Sequence, residues 1–180
     1  MLFQEFHSTP ECEKVWANEW GEKIFYSHCT SNSTDVAIGF FQNLNIDINE
    51  HKISRDDLGR VLIMEASYDD KNFLLINLYN ANNEKDQIVV LDTLCKLLEN
   101  HDTDGDCQVI ISGDFNVIFD TILDASGGNP SLKKKMIAKL ISLLRCLTHV
   151  MLFESGTQNL NVSLFGVKIH LFKEGSIIFF

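Results

Sequence analysis

Apolar and polar residues fall into short blocks along this chain, and the period of the pattern changes from block to block. Leu2-Phe3 reads as the tail of a strand that runs into Gln4 and Glu5, and the polar stretch 10–20, with Trp16 and Trp20, reads as a short helix or loop. Apolar runs predict strands over 23–27 and 36–41, separated by a turn over 29–35. A second pair is predicted over 60–66 and 72–79, joined by a hairpin loop over 67–71 and followed by a polar loop over 80–86. Ile88, Leu91, Leu94, Cys95 and Leu98 then recur at helical spacing, and the helix ends near Glu99-Asn100. An acidic loop over 101–106 leads into a strand over 108–112. Strand 72–79, helix 88–99 and strand 108–112 make a β-α-β unit with parallel strands and a right-handed crossover. Its two carboxyl ends, Tyr79 and Asp114, should therefore share one edge of the sheet.

Further on, Gly127-Gly128-Asn129-Pro130 predicts a turn and helix start, and Ile137, Leu140, Ile141 and Leu144 an amphipathic helix. Late strands are predicted over 162–165 and 177–180. The closing apolar run has nothing after it, which would leave an exposed strand edge, and the first strand is already ending by Glu5. The expectation is a single partial domain over 1–180, cut at both ends from a larger fold.

Composition narrows the function classes. The chain is 45% hydrophobic with two prolines, enough for a real core, and no apolar run approaches a membrane span. The start lacks a basic region and an apolar run of signal-peptide length. Five scattered cysteines without a Cys-x-x-Cys point to reduced thiols, an intracellular setting (cytoplasmic or nuclear) and no zinc. A formal net charge of −10 argues against tight nucleic-acid binding, which normally uses a basic face. The one basic cluster, Lys133-Lys134-Lys135, reads as a solvated helix start.

Candidate chemistry gathers at strand ends. Val109-Ile110-Ile111-Ser112 is a buried-strand pattern, and Gly113-Asp114-Phe115-Asn116 follows it. On extended backbone, residues two apart point the same way, so a carboxylate and a carboxamide would stand together at a carboxyl strand end. That is where open α/β sheets usually bind ligands. An ordinary Gly-Asp turn is the plainer reading. Gln4-Glu5, Asn77 with Tyr79, Asn82, and Asp114 with Asn116 would together make an oxygen-rich site suited to Mg²⁺, which takes few carboxylates and keeps waters. Asp102-Thr103-Asp104-Gly105-Asp106 departs from a calcium loop at its glycine and at its twelfth position, and reads as an acidic turn. The sequons Asn32-Ser33-Thr34 and Asn161-Val162-Ser163 carry little without a signal peptide.

In order along the chain, the blocks Leu2-Phe3-Gln4-Glu5-Phe6-His7-Ser8-Thr9, Trp16, Glu19-Trp20-Gly21, Val36-Ala37-Ile38, Gly59-Arg60, Asn77-Leu78-Tyr79-Asn80-Ala81-Asn82, Gly113-Asp114-Phe115-Asn116, and Leu123-Asp124 with Gly127-Gly128 form a pattern. It resembles the endonuclease/exonuclease/phosphatase superfamily, and within it the endonuclease domain of LINE-type (non-LTR) retrotransposon polyproteins. The resemblance implies a DNase I-like α/β fold, a two-layered β-sandwich flanked by helices. It implies that Glu5 binds metal with help from Asp114, and that Tyr79 contacts the scissile phosphate. It further implies that Asp114 orients or activates the attacking water, and that Asn116, with Asn82, holds the phosphate. The cofactor would be Mg²⁺ or Mn²⁺, and the partner DNA, bound weakly and transiently, with no membrane involved.

The departures weaken the match in the C-terminal half. The family's asparagine upstream of the glutamate has no counterpart, and the family's Ser-Asp-His motif is not found; neither Leu147-Thr148-His149 nor Lys168-Ile169-His170 fits it. Where the family often reads Asp-x-Trp-Arg, this chain has Met151-Leu152-Phe153-Glu154, and a late family aspartate falls near Ile177-Ile178. The expectation is therefore a weakly active or inactive endonuclease domain. The alternatives are a non-catalytic remnant or binding module, and a phosphatase of the same superfamily acting on small phosphorylated substrates.

Overall fold

The computed structural model describes residues 1–5, 9–20, 23–29, 34–101, 107–117, 133–148, 162–164, 167–171 and 177–179. Three short strands, β1 (Leu2–Gln4), β2 (Ile24–Ser27) and β3 (Val36–Gly39), form an antiparallel sheet in the order β1-β3-β2. Four longer ones, β4 (Asp47–Arg55), β5 (Val61–Tyr68), β6 (Lys71–Tyr79) and β7 (Cys107–Asp114), form a second sheet in sequence order. Its first three strands are antiparallel neighbours, and β7 runs parallel to β6. The helices are α1 (Pro10–Trp20), α2 (Glu84–Leu98) and α3 (Lys134–Thr148). Strands β8 (Val162–Leu164), β9 (Val167–Leu171) and β10 (Ile177–Phe179) pair antiparallel, and β10 approaches β7.

The second sheet is buried on both faces, which is why Val61-Leu62-Ile63-Met64 is continuously apolar rather than alternating. Val61, Ile63, Leu74, Ile76, Leu78 and Ile111 face the helices and pack on Val90, Leu91 and Leu94 of α2 and Met136, Leu140 and Leu143 of α3. Leu62, Met64, Ala66, Leu75 and Tyr79 face the other way, onto Val36, Ile38 and Phe40. The result is two packed sheets flanked by helices, the expected fold class. Helix α1 lies against the first sheet, with the Trp16 and Tyr26 rings 6.0 Å apart.

Local chemistry sets the ends of these elements. Pro10 opens α1, where its missing N–H costs nothing. Asn83 caps α2 by accepting from the Asp86 N–H at 2.9 Å, so that helix begins four residues earlier than its apolar spacing suggests. The Glu84 carboxylate accepts from Lys135 N at 3.0 Å and Met136 N at 3.4 Å, which places an anion at the N-terminus of α3 and offsets the basic residues there.

The β-α-β unit stands as expected, with β6 and β7 adjacent and parallel and α2 between them in sequence. The β5–β6 connection is tighter than expected. The ladder runs on to Tyr68↔Lys71, and Asp69 and Asp70, at φ 51° and 58°, form a two-residue turn whose backbone twist suits a hairpin. Strand β4 is absent from the expectations, as is β9. The predicted turn over 29–35 is described only at Cys29, Thr34 and Asp35. The acidic loop 102–106, Leu123-Asp124, Gly127-Gly128-Asn129-Pro130 and the stretch 151–154 lie outside the described residues. Among the described residues no helix is long and apolar enough to cross a membrane.

Candidate active site at the strand ends

One buried amide joins the two sheets below the site. Asn77 is fully buried and faces the first sheet. Its Nδ2 donates to the carbonyls of Phe3 and Ala37, both at 2.8 Å, and its Oδ1 accepts from Gln4 Nε2 at 2.7 Å. Every hydrogen-bonding position that matters is used, so β1 is locked in register over β6. Asn77→Ala would strand two backbone carbonyls and the Gln4 amide. A loss of about 3 kcal/mol in urea unfolding is expected, since each unmet buried polar group costs about 1–3 kcal/mol.

That lock fixes Glu5, the next residue after Gln4. Its backbone is left-handed at φ 55°, and its N–H donates to the Asp35 carbonyl at 2.9 Å. Below it, β6 and β7 end in register, Tyr79 opposite Asp114. Burial first, then interaction of the hydroxyl with the Glu5 carboxylate and the charges of Glu5 and Asp114, raise the Tyr79 pKa, while Arg60 opposes the shift. Asp114 is half-buried, and its pKa is raised chiefly by that burial and further by the charge of Glu5. The Asn116 N–H and Lys133 pull it the other way. The structure thus brings Glu5, Tyr79 and Asp114 together across the two sheets.

Asn116 arrives differently from the sequence argument. Strand β7 stops at Asp114, and Asn116 is left-handed at φ 49°, so the two side chains are not on one extended face. Instead the Asp114 Oδ1 accepts the Asn116 N–H at 2.9 Å, a turn closed by the aspartate itself. The Asn116 Nδ2 donates to the Asn80 carbonyl at 2.9 Å, and the Asn80 N–H donates to the Asp114 carbonyl at 2.7 Å. Asn82 is exposed and reaches this cluster through its carbonyl, which accepts from Lys133 Nζ at 2.6 Å.

Three supports went unrecognised in the sequence. Gln87, fully buried on α2, donates to the Asn116 carbonyl at 2.7 Å; its place four before Leu91 and seven before Leu94 puts it on the helix's apolar face, the signal that marks it as a buried polar group. Lys133 is a correction to the solvated-helix reading: its Nζ bonds the carbonyls of Asn82 and, at 2.9 Å, Asn116, and burial lowers its pKa. Arg60 sits over the Tyr79 ring, its guanidinium carbon 5.3 Å from the centroid. Among the described residues no three His, Cys, Asp or Glu side chains gather as a metal cluster. The donor set is two carboxylates, Glu5 and Asp114, and the charge of Glu5 adds to the burial that raises the Asp114 pKa.

No protein-family model matches the chain. It is 29% identical over 121 residues to the Transposon TX1 uncharacterized 149 kDa protein of Xenopus laevis, a match that spans 66% of this chain and 9% of that protein. Among solved structures, the endonuclease domain of TRAS1, a telomere-specific non-LTR retrotransposon, superposes with a TM-score of 0.50 and 11% identity, over 87% of this chain and 64% of that one. Humanized D. rerio TDP2 superposes at 0.45 with 15% identity, over 72% and 57% of the two chains, and at that score adds no argument. By sequence the chain is thus similar to a transposon protein over 66% of its length, and by architecture it shares the α/β fold of a non-LTR retrotransposon endonuclease domain.

Proposed function

We propose that this chain is a Mg²⁺- or Mn²⁺-dependent endonuclease domain that hydrolyses DNA phosphodiesters slowly. The observation that carries the reading is the meeting of Glu5, Tyr79 and Asp114 on one sheet edge, where the charge of Glu5 is felt by Asp114. Two neighbouring carboxylates with open solvent beside them suit a hard cation that keeps most of its waters. Glu5 and Asp114 would hold it, and when bound it supplies Lewis-acid polarisation of the phosphate.

The chain's own groups then divide the work. The Tyr79 hydroxyl is a donor at the cleft and can turn from Glu5 to a phosphate oxygen. Asn116 spends one Nδ2 hydrogen on Asn80 and keeps the other for the developing charge. Asp114 in its ionised form accepts a proton from the attacking water, and the turn to Asn116 N fixes its orientation. Because its pKa is raised, activity should fall as pH drops through a value above the ordinary carboxylate range.

A slow rate is expected because none of the histidines whose side chains are described is seen in contact with Glu5, Tyr79 or Asp114. The sequence contains no Ser-Asp-His. His28 is held by Glu13 at 2.5 Å, His101 by Glu65 and Ser54 at 3.0 and 2.8 Å, His51 is exposed on β4, and His170 lies on β9. DNA binding should be weak and transient, given a net charge of −10.

The test is nicking of supercoiled plasmid in Mg²⁺ and in EDTA, with calorimetric titration of Mn²⁺ into the chain and into Glu5→Gln. Slow nicking that needs metal, and metal affinity weakened at least about tenfold in Glu5→Gln, are expected. Equal metal binding by both proteins would put the ion elsewhere and defeat the reading. Metal binding without nicking would leave a binding module, and phosphate release from mononucleotides without nicking a phosphatase.

A further inference from the structure

A second cluster of reactive side chains lies on the β4 edge of the larger sheet, at the C-terminal end of α2. Its centre is His101, three residues past the helix, whose N–H donates to the Leu98 carbonyl at 3.0 Å. The imidazole is fully buried. Its Nε2 lies 2.8 Å from the Ser54 Oγ, and its Nδ1 lies 3.0 Å from the Glu65 Oε1. A neutral imidazole has one donor and one acceptor nitrogen, and a carboxylate only accepts. The neutral ring therefore carries its proton on Nδ1, towards Glu65, and its Nε2 accepts from the Ser54 hydroxyl. The order is serine, imidazole, carboxylate, with both links at hydrogen-bond length.

The fold prepares this order. Ser54 pairs with Ile63 across β4 and β5, and Glu65 follows Ile63 by two residues, so serine and carboxylate share the helix-facing side of the sheet. Core packing alone would place an apolar side chain at 65, after Val61 and Ile63. Between the pairs Ile48↔Ala66 and Ile53↔Met64, four residues of β4 stand against Glu65 alone. Such a bulge re-aims side chains, and here Glu65 meets His101. Lys52 closes the far side: its Nζ donates to the Asn100 carbonyl at 2.8 Å and stands 3.9 Å from the Glu65 Oε1. Solvent reaches Ser54, which is half-buried, but not the ring behind it. A shielded base behind a reachable hydroxyl is the arrangement of an activated serine nucleophile.

We propose that Ser54, His101 and Glu65 form a second catalytic site, a serine nucleophile that hydrolyses small carboxylic esters and works independently of the strand-end site. The Ser54 Oγ attacks the ester carbonyl carbon while His101 Nε2 takes the hydroxyl proton. The carbon–oxygen bond to the leaving group breaks, and the imidazolium gives that proton to the departing alkoxide. Water then attacks the acyl-serine and gives a proton to Nε2. The ester bond to Ser54 breaks, and its Oγ takes the proton back. The sum is ester plus water to acid plus alcohol. Glu65 is the positioning residue: it orients the ring and faces the charge that the ring takes on. Short acyl groups suit the place, because the hollow at the β4 bulge is lined mainly by polar residues, Asp47, Asn49, Glu50, His51 and Ser67.

The test is covalent labelling of the whole chain in EDTA by an alkyl fluorophosphonate, with the adduct located by peptide mass spectrometry. In that reaction Oγ bonds to phosphorus, fluoride leaves, and the hydroxyl proton passes to His101. The adduct should sit on Ser54. His101→Gln should slow labelling by about 10²-fold or more, the loss of a general base. Glu65→Gln keeps the shape, removes the orienting charge, and should slow it as well. Hydrolysis of p-nitrophenyl acetate should fall in both variants and drop to the uncatalysed rate in Ser54→Ala. Ser67→Ala, the serine control on β5, should match the parent in both assays. Melting curves show which variants are folded; Ser54→Ala removes only a half-buried hydroxyl and serves if His101→Gln does not fold. A folded parent without an adduct on Ser54, or acetate hydrolysis unchanged in Ser54→Ala, overturns the proposal, and the three groups then only tie α2 to the edge strand. An adduct on Ser54 without acetate hydrolysis overturns the ester reading. Metal-dependent nicking, which tests the endonuclease reading, is untouched by either result.

Discussion

Asp114→Asn should lose metal-dependent nicking by about 10²–10⁴-fold, the range typical of removing a positioned proton acceptor, and should melt at a higher temperature than the parent at neutral pH. The two effects have one cause. Burial and the nearby Glu5 charge raise the Asp114 pKa, so the folded chain holds that proton more tightly than the unfolded chain does. Stability from this group is therefore fully present below the ordinary carboxylate range and is lost as pH rises through the raised folded value. An amide never ionises, and its Oδ1 can still accept the Asn116 N–H, so the turn survives. Melting temperatures of parent and variant in EDTA should converge in acid and separate at neutral pH. Unchanged nicking in the variant would mean that Asp114 is not the acceptor. A lower melting temperature at neutral pH would mean that the charged hydrogen bond outweighs the burial.

Gly113→Ala should be the most damaging small substitution in the described chain. Gly113 pairs with Leu78 across the parallel β6–β7 ladder at φ +140°. A methyl built there would sit 1.8 Å from the Leu78 carbonyl oxygen and 2.7 and 2.8 Å from its carbonyl carbon and nitrogen. No rotamer relieves a clash between backbone atoms and a Cβ, so the strands must part, and the dihedral is strained as well. Strain of this kind costs about 1–3 kcal/mol and overpacking about as much again, a total near 4 kcal/mol against a domain stability of about 5–15 kcal/mol. Urea unfolding should show a midpoint shifted far down or no cooperative transition. A midpoint within about 1 kcal/mol of the parent would mean that β6 and β7 do not approach this closely. The same approach carries function, since it seats Asp114 beside Tyr79 one residue later.

Two kinds of information meet at this site. Periodicity and strand-end polarity were enough to read the β6–α2–β7 unit and to put Tyr79 and Asp114 on one edge, because strand period, helix period and crossover geometry are local rules. Strand β4 escaped that reading: Asp47–Arg55 is an edge strand with an irregular ladder to β5 and mostly exposed or half-buried positions, so no apolar face announces it. The Asp69-Asp70 turn escaped for a related reason, since neither residue is a glycine and the left-handed pair is imposed by the strands on either side.

The residue types of the site were thus determined by the sequence alone: a glutamate after a strand, a tyrosine at a strand end, and a Gly-Asp-Phe-Asn block after another. Only the tertiary structure decided how they meet. Asn77 reaches 73 or 74 positions back to Gln4 and Phe3 to set Glu5 over Tyr79, and Lys133 reaches 51 and 17 positions back to tie Asn82 to Asn116. Arg60 lies on the Tyr79 ring only because β5 and β6 are paired. The physical reason is that a side chain's local pattern records which face it occupies, whereas the partner of a buried amide or cation is chosen by whatever unmet carbonyl or ring the packed sheets bring within about 3 Å of a donor or 6 Å of a charge.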